Sequence, residues 1–182
     1  MSTFDLTGRV ALITGGNGGI GLGMAQGLAA AGATIAIAGR NADKLAKAAE
    51  ELQMSGARVA TITVDVADRQ SVLDMVQNTL DRFERIDILV ANAGINNRMP
   101  PQDYKPEEWD EVIDINLTGP FYCAQAVYPA MKAQGGGKII TIGSMASIFG
   151  LPFAAAYAST KGGIVQLTRV LATAWAKDNI QA

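Results

Sequence analysis

The 182-residue sequence has no histidine. This rules out a Ser-His-Asp triad, a histidine general base and any His-ligated metal site. There is one cysteine, Cys123, so the sequence can form neither a disulfide framework nor a cysteine-rich zinc site. Zinc-dependent alcohol chemistry is excluded with them, and the lone thiol reads as a small buried apolar group. Charge is sparse and balanced, 15 Lys and Arg against 17 Asp and Glu, with the cations scattered. No basic face for nucleic acid is expected. The uncharged stretch 139–160 is broken by Gly143, Gly150, Pro152 and several hydroxyls, so no membrane span is expected there. The first residues lack the basic head and apolar stretch of a signal peptide, which points to a cytoplasmic protein.

What is present is globular in kind: 49% of residues are apolar and 18% charged. Short apolar runs alternate with longer amphipathic ones. Val10–Thr14, Thr34–Ala38, Arg58–Val64, Asp87–Ala91 and Lys138–Ile142 read as strands. Helices are expected from the glycine turn to about Ala31, from Asn41 as cap to near Gly56, and from Asp68 as cap through Phe83. Another starts at Pro106, and helix resumes over about Gly119–Ala133 with a bend at Pro120 or Pro129. A long one covers about Ala155–Lys177. This alternation predicts a doubly wound, Rossmann-like parallel α/β sheet with helices on both faces and a ligand cleft beyond the carboxyl ends of the strands. All of residues 1–182 is expected to form one dinucleotide-binding and catalytic domain. Asn179–Ala182 looks like the opening of a sixth strand, which suggests that the C-terminal strands are missing.

Thr14-Gly-Gly-Asn-Gly-Gly-Ile-Gly21 follows a strand and opens a helix. Such a turn lets backbone approach a pyrophosphate and offers it the helix N-terminus. Two frames fit: Gly16, Gly18 and Gly21 as G-x-G-x-x-G, or Gly15, Gly19 and Gly21 with T-G-x-x-x-G-x-G spacing. At the end of the second strand, where an acid would hold the ribose 2′-hydroxyl of NAD, the sequence reads Ala38-Gly39-Arg40-Asn41. Arg40 can pair with a 2′-phosphate, which favours NADP(H) and leaves NAD(H) possible. Tyr157 and Lys161 are spaced to leave one helix face together. A lysine ammonium one turn away stabilises a phenolate, so the phenol can exchange a proton with a carbonyl oxygen.

Thr14 to Gly21, Asp65-Val66, Asn92-Ala93-Gly94, Asn116, Ser144 and Tyr157…Lys161 together resemble the short-chain dehydrogenase/reductase family in order and spacing. The resemblance implies that Tyr157 is the acid/base and that Lys161 lowers its pKa and bonds the nicotinamide ribose. Ser144, thirteen residues before Tyr157, would bond the substrate oxygen. Asn116 would bend its helix and hold a water linking Lys161 to solvent. Asp65 and Val66 would meet the adenine. Asn92, Ala93 and Gly94 would support the sheet and line the cofactor cleft, as would Gly15, Asn17, Gly19, Ile20 and Gly21. Many NADP-preferring relatives carry a basic residue where Asn17 stands, which weighs toward NAD(H).

The closest resemblance is to members acting on sugars, gluconates or polyols, with 3-oxoacyl-thioester reductases as the runner-up. A non-catalytic NADP(H) sensor is the reading of another class. The loops 96–101 and 147–153 would flank the substrate. The family's usual homotetramer would pair through the helices near 119–133 and 155–177.

Overall fold

In the computed structural model, residues 4–182 are described. They form six parallel strands in the order β3-β2-β1-β4-β5-β6: β1 Val10–Thr14, β2 Thr34–Gly39, β3 Val59–Thr63, β4 Ile88–Ala91, β5 Gly137–Thr141 and β6 Ile180–Gln181. The helices between them are α1 Gly19–Ala30, α2 Ala42–Met54, α3 Arg69–Phe83, α4 Pro106–Ile113, α5 Gly119–Ala133 and α6 Ala155–Trp175. From β1 the chain first winds to β2 and β3, then returns to place β4 on the other side of β1. The carboxyl ends of β1 and β4 therefore border the switch point where α/β sheets bind ligands.

The expected caps are in place. The Asn41 side chain accepts from the Lys44 N–H at 2.9 Å, and Asp68 Oδ1 accepts from Gln70 N–H at 2.8 Å. Each satisfies an N–H left over at a helix start. Alternate strand residues pack into two cores. Leu12, Ala36, Leu89 and Ile139 meet α3, α5 and α6, whereas Ile13, Ile37 and Val90 meet α1 and α2.

Helices cover both faces of the sheet, as the alternation predicts. Cover is thinnest at β5, where only Ile139 is buried and Ile140 is 42% exposed. The described helices on that face pack over the β2–β1–β4 side of the sheet. The interruption expected between the helix at Pro106 and the one at Gly119 is not a break. Asp114–Thr118 form a single π-helical turn that joins α4 to α5. Pro120 falls in the first turn of α5, where its missing N–H costs little, and Pro129 lies within that helix.

At the amino end of the sheet, Asp87 does not extend β4. Its carboxylate accepts from Val10 N–H at 2.9 Å, from Arg9 at 2.8 Å and from Arg85 at 2.7 and 2.6 Å, tying β1 to β4. Burial pushes this carboxyl up, but the Arg85, Val10 and Arg9 hydrogen bonds outweigh it and hold the group below the usual carboxylate range.

Candidate functional site

The turn after β1 is built by close packing. A Cβ on Gly15, whose φ is +64°, would lie 2.8 Å from Asn92 Nδ2. A Cβ on Gly21 would strike the Gly15 carbonyl oxygen and lie 2.5 Å from the same Asn92 amide. Gly18, by contrast, has extended backbone and open space around a Cβ. Gly16 is crowded too, a Cβ there lying 2.7 Å from Ile37, and Gly21 belongs to both frames; the positive φ at Gly15 and Gly19 and the open space at Gly18 are what favour the Gly15, Gly19, Gly21 frame. Asn92 donates from Nδ2 to the carbonyls of Thr14 (3.1 Å) and Gly15 (3.2 Å), and its N–H reaches Thr14 Oγ1 at 3.1 Å. It clamps the end of β4 to the end of β1.

Beyond these strand ends lies a cleft of 370 Å³. Gly15, Asn17, Arg40, Asp65, Val66, Ala93 and Gly94 all line it. The Asn17 side chain lies over Gly39, 3.4 Å from where a Cβ there would be. Asp65 Oδ1 accepts from Ala67 N–H at 3.0 Å, which turns the chain after β3. Gly19, Ile20, Gly21 and Asn92 are not on the cleft wall. Gly21 and Asn92 shape the turn from behind, and Ile20 is 71% exposed on the first turn of α1. Sequence reasoning missed Gly39, Asn41, Lys44, Val64, Ile95 and Ile115, which also line the cleft. For Lys44 a signal existed, since it follows Arg40 by four residues at a helix start.

The second half of the site lies on α6 and the end of β5. Lys161 is buried and donates from Nζ to the Ile142 carbonyl at 2.6 Å. The same ammonium stands 5.6 Å from the centre of the Tyr157 ring. Burial holds the Lys161 pKa below the ordinary lysine value. Ser144 begins a short 3-10 turn, and its Oγ accepts from Ala146 N–H at 3.1 Å. Because Ile142 is two residues before Ser144, the lysine also ties α6 to the Ser144 loop.

Asn116 sits in the π turn and is buried. Its Oδ1 accepts from Ile95 N–H and its Nδ2 donates to Ile95 C=O, both at 2.8 Å, and Nδ2 also reaches Thr160 Oγ1 at 3.4 Å. The wider π turn, rather than a simple bend, brings this amide to the chain leaving β4. That chain is an extended arm pinned at alternate residues. Ile95 is held by Asn116, the Asn97 carbonyl accepts from Tyr104 Oη at 2.5 Å, and Met99 N–H donates to Phe153 C=O at 3.0 Å. Met99 also forms a parallel bridge with Ala154, just before α6. Asn96 and Arg98, between the pins, are exposed.

The family profile of the short chain dehydrogenases matches residues 9–182. The chain belongs to the short-chain dehydrogenase family. It is accordingly an NAD(P)-dependent oxidoreductase acting on CH–OH groups. This dehydrogenase is 38% identical over 178 residues to gluconate 5-dehydrogenase of Gluconobacter oxydans, a match covering 98% of this chain and 70% of that one. It is 40% identical to 2-dehydro-3-deoxy-D-gluconate 5-dehydrogenase of Formosa agariphila, covering 98% and 68%. A solved structure superposes with a TM-score of 0.92 at 37% identity, covering 98% and 71%. It is a provisionally assigned NAD(P)-dependent gluconate 5-dehydrogenase of Beutenbergia cavernae, with NADP bound at low occupancy. Among the described residues no helix is long and apolar enough to cross a membrane.

Proposed function

We propose that this dehydrogenase uses NADP(H) to interconvert a hydroxyl and a ketone on a sugar acid of the gluconate kind, with Tyr157 as acid/base. The observation that carries the reading is the Lys161 ammonium, buried 5.6 Å from the Tyr157 ring and anchored on the Ile142 carbonyl. A non-catalytic sensor would have no use for a charge buried there.

The residues present fit a dinucleotide. The glycine turn leaves open space at Gly18 and Gly19 at the start of α1, and no acid stands at the end of β2. Gly15, Asn17, Arg40, Asp65, Val66, Ala93 and Gly94 would hold the adenosine and pyrophosphate, with Gly19, Ile20, Gly21 and Asn92 shaping that wall. Arg40 favours the 2′-phosphate of NADP(H). When bound, the nicotinamide supplies or accepts the hydride.

The chain's own residues manage the proton. Ser144 Oγ donates to the substrate oxygen and orients it. Tyr157 Oη gives its proton to that oxygen during reduction and takes it back during oxidation. The positive charge of Lys161 stabilises the phenolate left behind, and Lys161 is the group that would meet the nicotinamide ribose. Asn116 positions the arm below the site through Ile95.

The polar side chains Asn96 and Arg98 on the pinned arm, together with the named relatives, support a polyhydroxy acid as substrate. One observation favours a second reading, reduction of 3-oxoacyl thioesters: Met145, Ile148 and Phe149 just after Ser144 are exposed and would suit an acyl chain. A panel of keto-gluconates and acetoacetyl thioesters with NADPH separates the two. Tyr157→Phe is expected to lower turnover at least a thousandfold while NADPH still binds, and near-normal turnover would refute the role of Tyr157. The same reading takes α5 and α6 as the pairing surface of a homotetramer, where Phe121 and Val170 are exposed.

A further inference from the structure

We propose that Lys44 is a second reader of the adenosine 2′-phosphate, acting beside Arg40 to set the preference for NADP(H); this rests on the NADP(H) reading above.

Arg40 and Lys44 are the cations that line the cleft, and Asp65 is its acid. Both cations are exposed, and among the described residues neither side chain forms a hydrogen bond or ion pair. Local geometry aims them at the same wall. Arg40 ends the turn after β2, Asn41 caps α2, and the cap hydrogen bond to Lys44 N–H at 2.9 Å fixes the first turn of the helix. Lys44 therefore stands on the wall that Arg40 borders, at the end of β2.

Two features of this placement run against local stability. A helix start carries partial positive charge, so the first turn favours acids and disfavours a lysine. Lys44 also shares the cleft wall with the like charge of Arg40, and the acid of this first helical turn, Asp43, does not line that wall. Both costs are relieved if a group carrying about two negative charges enters between them, as a phosphate monoester does near neutral pH. A 2′-hydroxyl offers no such relief. Asn17, over Gly39, is neutral and leaves the charge reading to the other two.

The test measures equilibrium binding, not turnover. Dissociation constants for NADPH, NADH, 2′,5′-ADP and 5′-AMP are measured by titration on the wild type and on Arg40→Ala, Lys44→Ala, Lys44→Arg and Lys47→Ala. Lys47 is an exposed lysine on the same helix that does not line the cleft, so its variant controls for overall charge.

Lys44→Ala is expected to reduce the NADPH-over-NADH preference about five- to tenfold, the size of one charge-assisted contact. The preference for 2′,5′-ADP over 5′-AMP should fall in parallel, and Lys44→Arg should restore most of both. The effect should shrink as salt rises from low to physiological ionic strength. If Arg40→Ala removes the preference but Lys44→Ala changes it no more than Lys47→Ala does, the inference about Lys44 is overturned and the NADP(H) reading stands. A wild type that binds NADPH and NADH equally overturns both.

Discussion

Replacing Asn116 with alanine tests whether the π turn holds the substrate-side arm through one amide. The variant loses two 2.8 Å hydrogen bonds to the main chain of Ile95 and a longer one to Thr160. A typical hydrogen bond contributes about 1 kcal/mol net, and a part-buried backbone group left without a partner costs roughly 1–3 kcal/mol. The Ile95 N–H and C=O both lose their partner, while water entering the vacated space recovers part of the loss. The sum is about 2–4 kcal/mol, or a fall in melting temperature of roughly 10 °C for a chain of this size. Asn116→Asp is the informative companion. It can still accept from the Ile95 N–H, but it turns a carboxylate toward the Ile95 carbonyl, so it should be no more stable than the alanine variant at pH 7. Urea unfolding gives the stability, and KM and kcat for the preferred substrate give the function. KM should rise more than kcat falls, because on the proposed reading the displaced arm would border the substrate rather than the phenol. An alanine variant within 0.5 kcal/mol of wild type, with KM unchanged, would refute the pinning argument.

Lys161→Met should abolish turnover, and its stability relative to wild type, which includes the loss of the donor to the Ile142 carbonyl, should be greater at pH 7 than at pH 10. Burial lowers the folded-state pKa of Lys161, so its charged form costs stability below that pKa. The cost fades as pH rises toward the ordinary lysine value, so the variant should lose ground against wild type by pH 10; a difference in melting temperature that stays the same from pH 7 to pH 10 would contradict this. Asp87→Asn should lose about 1–2 kcal/mol at pH 7, because the carboxylate accepts from Val10, Arg9 and Arg85. Its native pKa is depressed, so the wild-type advantage is full above the ordinary carboxylate value and closes as pH falls through the lowered one. A gap that does not narrow as pH falls below the ordinary carboxylate value would count against the carboxylate as its source. Gly21→Ala should lose about 1–3 kcal/mol from overpacking against the Gly15 carbonyl, whereas Gly18→Ala, with open space around its Cβ, should unfold with wild type. A loss at Gly18→Ala as large as that at Gly21→Ala would favour the other glycine frame.

The strands were legible because buried parallel strands are short apolar runs flanked by polar turns. Val10–Thr14 was read to the residue, and the other four long strands to within one or two at each end. Asn41 and Asp68 were legible because their caps are local, made within three residues. The π turn was not, since Asp114–Thr118 carry no residue that separates a π from an α turn; the gap read there was a change in winding. The pairing of Met99 with Ala154 was hidden for another reason, because it joins loops 55 residues apart in the chain. Lys44 was passed over because a lysine near a helix start looks like a solvated surface residue until the cleft wall is seen. The glycine turn allowed two frames in sequence, and the positive φ at Gly15 and Gly19, with open space at Gly18, chose between them.

The arm that leaves β4 has a consequence for how such an enzyme changes its substrate. Its fixings fall on the main chain at 95, 97 and 99, so the side chains at 96 and 98 carry almost none of the structural burden. Those two positions can be exchanged freely, singly or together, while the scaffold beneath keeps its shape. If the arm flanks the substrate as proposed, a small library at Asn96 and Arg98 is a short route to a new specificity on this framework, with few library members lost to misfolding.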